Sequence, residues 1–162
     1  MKIAFVMGSD SDLPVVEKGV EVVKSFGVPV EVRIISAHRT PAEAESFARN
    51  AEANDIGVIV AAAGKAAHLG GVLAAYTTLP VVALPIKSST LDGLDSLLSM
   101  VQMPPGIPVA TVGIDGALNA GLLALQILAI SDPTIKEKLK AYKETMAEAV
   151  RQKDEKFRNQ YM

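Results

Sequence analysis

Five short apolar runs, Lys2–Met7, Val30–Ile35, Gly57–Ala62, Val81–Leu84 and Pro108–Ile114, alternate along this chain with segments of helical periodicity. The helical segments lie near Leu13–Phe26, Pro41–Asn54, Ala67–Tyr76, Leu91–Val101 and Ala117–Ile130. No other property of the sequence constrains the fold as much. Most of the short runs are continuously apolar rather than alternating with polar residues, which is the pattern of strands covered on both faces. Strand and helix in strict succession supply the crossovers that a parallel sheet needs. They imply right-handed connections and a three-layer α/β/α arrangement.

The expected fold is therefore α/β: a doubly wound parallel sheet of five core strands, flavodoxin-like, with a C-terminal helix. The chain is 49% apolar but only 4% aromatic, with 12 glycines in 162 residues. Small side chains must do much of the packing, and backbones must approach closely. The segment Ala117–Ile130 has hardly any polar side. A helix that is apolar all round is buried all round, so one face is expected to meet the sheet and another a second subunit. A last helix starts near Asp132-Pro133 and carries many charges over Lys136–Lys156, with Ile135, Leu139, Tyr142 and Met146 at core spacing. Its charge run reads as a solvated face. With no internal repeat and no long linker, residues 1–162 read as one catalytic domain, with a core at about 1–130 and a helical extension at about 132–158.

Several function classes are disfavoured at once. A formal net charge of −2 argues against a nucleic-acid or anionic-membrane surface. There is no cysteine, which excludes disulfides, zinc–thiolate sites and thiol nucleophiles. The run Ile3–Met7 is too short for a signal-peptide core, and no apolar stretch suits a bilayer span. The chain reads as soluble and cytoplasmic. Two histidines without a carboxylate at ligand spacing make a weak case for a metal, and neither a dinucleotide fingerprint nor a Walker lysine motif is present.

In a parallel α/β sheet, ligands bind beyond the carboxyl ends of the strands, and the polar residues of this chain collect there. Ser36-Ala37-His38-Arg39-Thr40-Pro41 follows the second strand. Thr40 with Glu43 reads as a capping box, with Pro41 at the first helical position. The free amides of that helix end, with Arg39 beside them, suit a phosphate or carboxylate. His38 lies next to this seat, and histidine is the side chain that gives and takes a proton near neutral pH. The plainer alternative is a capped helix start with an incidental surface His–Arg pair. After the first strand comes Gly8-Ser9-Asp10-Ser11-Asp12, which can bind an anion through hydroxyls and amides and a sugar hydroxyl through a carboxylate; alternatively Ser11 or Asp12 caps the helix. After the third comes Ala63-Gly64-Lys65-Ala66-Ala67-His68-Leu69-Gly70-Gly71, a small-residue loop with the other histidine, which taken alone is more often structural than catalytic, although both histidines of the chain fall at the carboxyl ends of apolar strands. Ser89 and Asp92 form a second candidate capping box after the fourth strand. The turns at Gln102–Gly106 and Asp115–Asn119 read as connections. The remaining chemistry is cofactor-free proton transfer on a small phosphorylated substrate.

These motifs occur together and in one order. Gly8–Asp12, Ser36–Pro41, Ala66–Leu69, Gly93-Leu94-Asp95-Ser96-Leu97-Leu98-Ser99, Gln102-Met103-Pro104, Pro108–Val112 and Asn119–Ala124 resemble the N5-carboxyaminoimidazole ribonucleotide mutase family of bacterial purine biosynthesis, over roughly Ile3 to Ile130. The resemblance implies a reversible move of a carboxylate from the exocyclic nitrogen of an aminoimidazole ribonucleotide to ring carbon C4, by loss and recapture of a trapped CO2. It implies that His38 protonates the leaving nitrogen and later removes the C4 proton. Ser11, Ser36 and Arg39 would hold the phosphate, Asp12 the ribose hydroxyls, and Ser9 would help line the site. Ala63, Gly64, Lys65, His68 and Leu69 would enclose the CO2 and its acceptor carbon, away from water. No metal or cofactor is implied. The partners implied are the ribonucleotide, CO2 and further copies of the chain, typically an octamer with sites at subunit junctions.

A direct carboxylase branch of the family, acting on aminoimidazole ribonucleotide and CO2, usually has lysine where Arg39 stands and a different sequence at Ala66-Ala67-His68; Arg39 and His68 favour the mutase. A non-catalytic module that binds nucleotide phosphate is the alternative from another class. The chain departs from the family at Lys65, where glycine is usual, and at Gly70, where proline is usual. Lysine there is strained if the backbone needs positive φ, and its side chain either points to solvent or pairs with the substrate carboxylate. Gly70 is expected to loosen the loop.

Overall fold

The computed structural model describes residues 1–161. Five parallel strands, β1 (Lys2–Met7), β2 (Val30–Ile34), β3 (Ile56–Gly64), β4 (Val81–Ile86) and β5 (Ala110–Thr111), form one sheet in the order β2-β1-β3-β4-β5. The helices are α1 (Leu13–Ser25), α2 (Pro41–Asn50), α3 (Leu69–Ala74), α4 (Leu94–Val101), α5 (Ala117–Leu128) and α6 (Pro133–Tyr161). This is the flavodoxin-like, doubly wound order expected from the sequence. Successive side chains of β1, β3 and β4 feed opposite cores, as the two-residue pleat requires. Ile3, Phe5 and Met7 join Val58, Val60, Val82 and Leu84 under α1, α5 and α6. Ala4 and Val6 join Ile59, Ala61 and Ala83 under α2, α3 and α4.

The scarcity of aromatics is answered by close backbone approach. A Cβ on Gly19 of α1 would stand 2.7 Å from the Ala117 carbonyl oxygen, and one on Gly121 of α5 would stand 2.8 Å from the Gly19 carbonyl oxygen. Helices α1 and α5 therefore meet backbone to backbone. Contacts with α1 and α6 as well as with the sheet cover more of α5 than the sheet alone would. Leu118 of α5 and the following Ile130 stay exposed at 45% and 87%. Among the described residues no helix is long and apolar enough to cross a membrane.

Several boundaries differ from expectation for local reasons. Strand β5 keeps two residues, because Pro108 lacks an amide donor and the chain turns away through Gly113. Strand β2 is an edge strand with Val32, Arg33 and Ile34 exposed, so it is not covered on both faces. Helix α4 starts at Leu94, three residues late, because Leu91, Asp92 and Gly93 have φ of 47°, 57° and 93°. The Ser89–Asp92 capping box does not form. Asp92 pairs with Lys87 at 2.8 Å, and Ser88 bonds Asp95. Gly70 is not a loop residue: it is buried in the first turn of α3, where a Cβ would come within 3.4 Å of Ala83. Helix α6 begins where Asp132 Oδ1 accepts from the amides of Thr134 and Ile135 at 2.9 and 3.2 Å, with Pro133 at the first helical position.

Candidate active site

The chain passes from β1 to one neighbour, β2, and returns to the other, β3, so their connections leave the sheet in opposite directions. A crevice must open at that switch point. A cleft of about 520 Å³ lies there, lined by residues of the loops after β1, β2 and β3. Ser9, Ser11, Asp12, Ser36, His38, Arg39, Ala63, Gly64, Lys65 and Leu69 all line it. Three positions absent from the sequence expectation, Gly8, Ala37 and Ala67, line it too. Gly8 and Ala37 directly adjoin expected residues, and Ala67 falls within the expected third loop. The loops after β4 and β5 are not part of it. They join each other, Lys87 N donating to Asp115 Oδ1 at 2.8 Å.

The first loop is organised by Ser9. Its Oγ accepts from the Ser11 amide at 3.3 Å and caps a single 3₁₀ turn, Asp10–Asp12. The Ser11 hydroxyl lies 2.9 Å from Ser9 Oγ and 3.3 Å from Asp12 Oδ1, and its one proton can serve either. Asp12 stands at the cap position of α1 but makes no side-chain capping bond, so neither Ser11 nor Asp12 is spent on the helix. Asp12 is only 8% exposed. Burial raises its pKa above the ordinary carboxylate value, against the hydrogen bonds from Ser11 and Ser9, which lower it.

The second loop is built around Ser36 and Thr40. The Thr40 amide donates to the Ser36 carbonyl at 2.9 Å, and Thr40 Oγ1 accepts from the Ser36 amide at 3.0 Å while donating to the Ser36 carbonyl at 3.1 Å. This corrects the capping-box expectation, since the Thr40 hydroxyl is turned back into the loop and gives α2 no side-chain cap. The closed turn carries His38 and Arg39 exposed at its tip. Ser36 Oγ accepts from the Arg39 amide at 3.1 Å and from Arg39 Nε at 3.4 Å, while Arg39 Nη2 donates to the Gly8 carbonyl at 2.7 Å. The guanidinium thus clasps the first loop to the second.

In the third loop the strand ends at Gly64, and Lys65 follows in the left-handed region at φ +56°, the condition under which lysine is strained. His68 is the one expected site residue that the structure sets apart. It occupies the position before α3, exposed, its carbonyl accepting from Val72 at 2.9 Å, and it is not among the residues lining the cleft. Among the described residues no three His, Cys, Asp or Glu side chains gather as metal ligands.

Fold and site together define a doubly wound α/β protein with a cleft at its switch point, lined by serine hydroxyls, a guanidinium and an exposed imidazole. The AIR carboxylase family matches residues 2–149. A Pyrococcus abyssi protein named N5-carboxyaminoimidazole ribonucleotide mutase is 63% identical over 145 residues, 90% of this chain and 83% of that one. A Vigna aconitifolia protein named phosphoribosylaminoimidazole carboxylase, chloroplastic, is 51% identical over 96% of this chain, which spans 28% of the plant protein. The crystal structure of Treponema denticola PurE superposes with a TM-score of 0.88 at 32% identity, covering 95% of this chain and 96% of that one. The chain belongs to the AIR carboxylase family.

Proposed function

We propose that the chain is one catalytic domain that interconverts N5-carboxyaminoimidazole ribonucleotide and 4-carboxy-5-aminoimidazole ribonucleotide, an isomerase of de novo purine biosynthesis. The observation that carries this reading is the position of His38. It is held at the tip of a turn whose neighbour Arg39 is already fixed by Ser36 and Gly8, in a cleft of nucleotide size. The name of the Pyrococcus relative supports the same reading.

Arg39, with the Ser36 and Ser11 hydroxyls, binds the phosphate, and Asp12 accepts from the ribose hydroxyls. The carbamate C–N bond breaks and CO2 departs, while His38 delivers a proton to the exocyclic nitrogen. The electron-rich C4 then attacks the retained CO2, a C–C bond forms, and His38 takes the C4 proton as the ring regains aromaticity. One imidazole gives a proton and recovers one, so the cycle closes without an external acid or base. The buried Ala63 and Leu69, at 2% and 1% exposure, give the third loop an apolar lining that delays escape or hydration of CO2.

The exposed apolar residues Leu94, Leu98 and Val101 on one face of α4, together with Leu118, support assembly of several copies, an octamer by family resemblance. Sedimentation of a monomer at assay concentration refutes that part. The name of the plant relative keeps direct carboxylation as a second reading.

A spectrophotometric assay separates the two. Turnover from the N-carboxylated substrate, with none from aminoimidazole ribonucleotide and bicarbonate, is the expected result, and the reverse preference overturns the mutase. His38→Asn should lower kcat by roughly 10²–10⁴-fold with ribonucleotide binding kept. An unchanged rate would return the cleft to a binding module.

A further inference from the structure

The cleft contains a cation that makes no ion pair or side-chain hydrogen bond among the described residues. Lys65 is exposed, lines the cleft, and holds a left-handed backbone at φ +56°. A non-glycine residue is kept in that region only at a cost, and such costs collect at ligand sites. The lysines that make ion pairs or side-chain hydrogen bonds among the described residues are Lys2, Lys87, Lys138 and Lys140. Lys65 is not one of them. Arg39, by contrast, is tied to Gly8 and Ser36. Of the residues lining the cleft, only these two carry a fixed positive charge. They rise from the loops after β2 and β3, which the sheet order separates by β1. Two strand spacings put the strand ends about 10 Å apart. Between them lies the loop bearing Asp12, whose carboxylate repels an anion. In loop order across the sheet, the charged lining residues therefore run cation, carboxylate, cation.

A ligand with one anionic group at each end and neutral hydroxyls between them matches that pattern. Resting on the ribonucleotide reading above, we propose that Lys65 is the carboxylate clamp of the site. Its ammonium pairs with the carboxylate of the carboxylated ribonucleotide while the Arg39 end holds the phosphate. The clamp distinguishes carboxylated from uncarboxylated ribonucleotides, because both share the phosphate and only one offers Lys65 a partner. It also places the carboxylate beside Ala63 and Leu69, where CO2 is lost and recaptured.

Calorimetric binding in a His38→Asn background, where turnover is blocked, tests this with 4-carboxy-5-aminoimidazole ribonucleotide and aminoimidazole ribonucleotide as the two probes. Lys65→Gln keeps the stem and removes the charge, Lys65→Gly also relieves the backbone, and Lys65→Arg keeps the charge. Gln and Gly should each weaken the carboxylated probe roughly tenfold and leave the other within about twofold, with the loss shrinking as salt is added. Arg should retain most of the discrimination. Lys65→Gly should in addition raise Tm by about 3 °C, which shows that the lost affinity is not lost folding. Equal weakening of both probes, or of neither, overturns the clamp. A parent protein that shows the discrimination but does not turn over the N-carboxylated substrate refutes the mutase and leaves the clamp standing. A parent that binds neither probe overturns both.

Discussion

Removing Arg39 isolates the phosphate end of the cleft. A guanidinium has five N–H donors. In this structure one goes from Nη2 to the Gly8 carbonyl at 2.7 Å, and Nε–H is directed at Ser36 Oγ at 3.4 Å, which leaves three for a ligand. Hydrogen bonds to a charged group contribute about 1.5–3 kcal/mol. Arg39 is exposed, so screening places the loss at the low end, about 1.5–2 kcal/mol. Arg39→Ala should therefore raise KM roughly 10–30-fold at low ionic strength. The phosphate is remote from the reacting carbon and is held alike in ground and transition states, so kcat should stay within about threefold. Lysine cannot hold both the Gly8 carbonyl and a phosphate in one planar fork, and Arg39→Lys should fall between. Steady-state kinetics of both variants at two salt concentrations, with Tm measured alongside because the Gly8 tether is also lost, give the answer. If KM stays within twofold at low salt, or if only kcat falls, the phosphate does not sit on Arg39.

Asp12→Asn should raise stability at neutral pH while weakening ribonucleotide binding roughly tenfold. The carboxyl is raised above its ordinary value by burial, so the folded state holds its proton more tightly than the unfolded chain does. Its charged form therefore costs stability at neutral pH, and that cost disappears as pH falls through the folded value. Thermal melts should show the gap between variant and parent closing toward pH 4, and a pH-independent gap would contradict burial as the cause. Gly19→Ala tests the close approach of α1 and α5. Its Cβ would stand 2.7 Å from the Ala117 oxygen and 2.9 Å from Phe5 Cε1. Overpacking by about 1–3 kcal/mol should exceed the gain of about 1 kcal/mol in helix propensity. Tm should fall by a few degrees, and an unchanged or higher Tm would mean that α1 and α5 part freely.

The sequence by itself determined the layer order, the strand count and the three loops that meet at the cleft. Periodicity and continuous apolarity are local properties, and parallel pairing leaves few other ways to bury them. It also marked Ser9, Ser36, His38 and Arg39, because residues that carry chemistry stand out at strand ends. What it could not determine were contacts between residues distant along the chain, or choices among nearby partners of equal chemistry. Thr40 and Glu43 have the spacing of a capping box, yet the Thr40 hydroxyl finds both amide and carbonyl of Ser36 within 3.1 Å and turns there instead. Asp12 has the position of a cap, yet it makes no side-chain capping bond and is partly desolvated by burial. His68 lies in the right loop, but the start of α3 sets it outside the cleft lining. The strain at Lys65 was conditional on the sign of one φ angle, and no local pattern fixes that sign. Tertiary structure decided it at +56°, because the packed positions of β3, ending at Gly64, and of α3, starting at Leu69, set the path of the few residues between them.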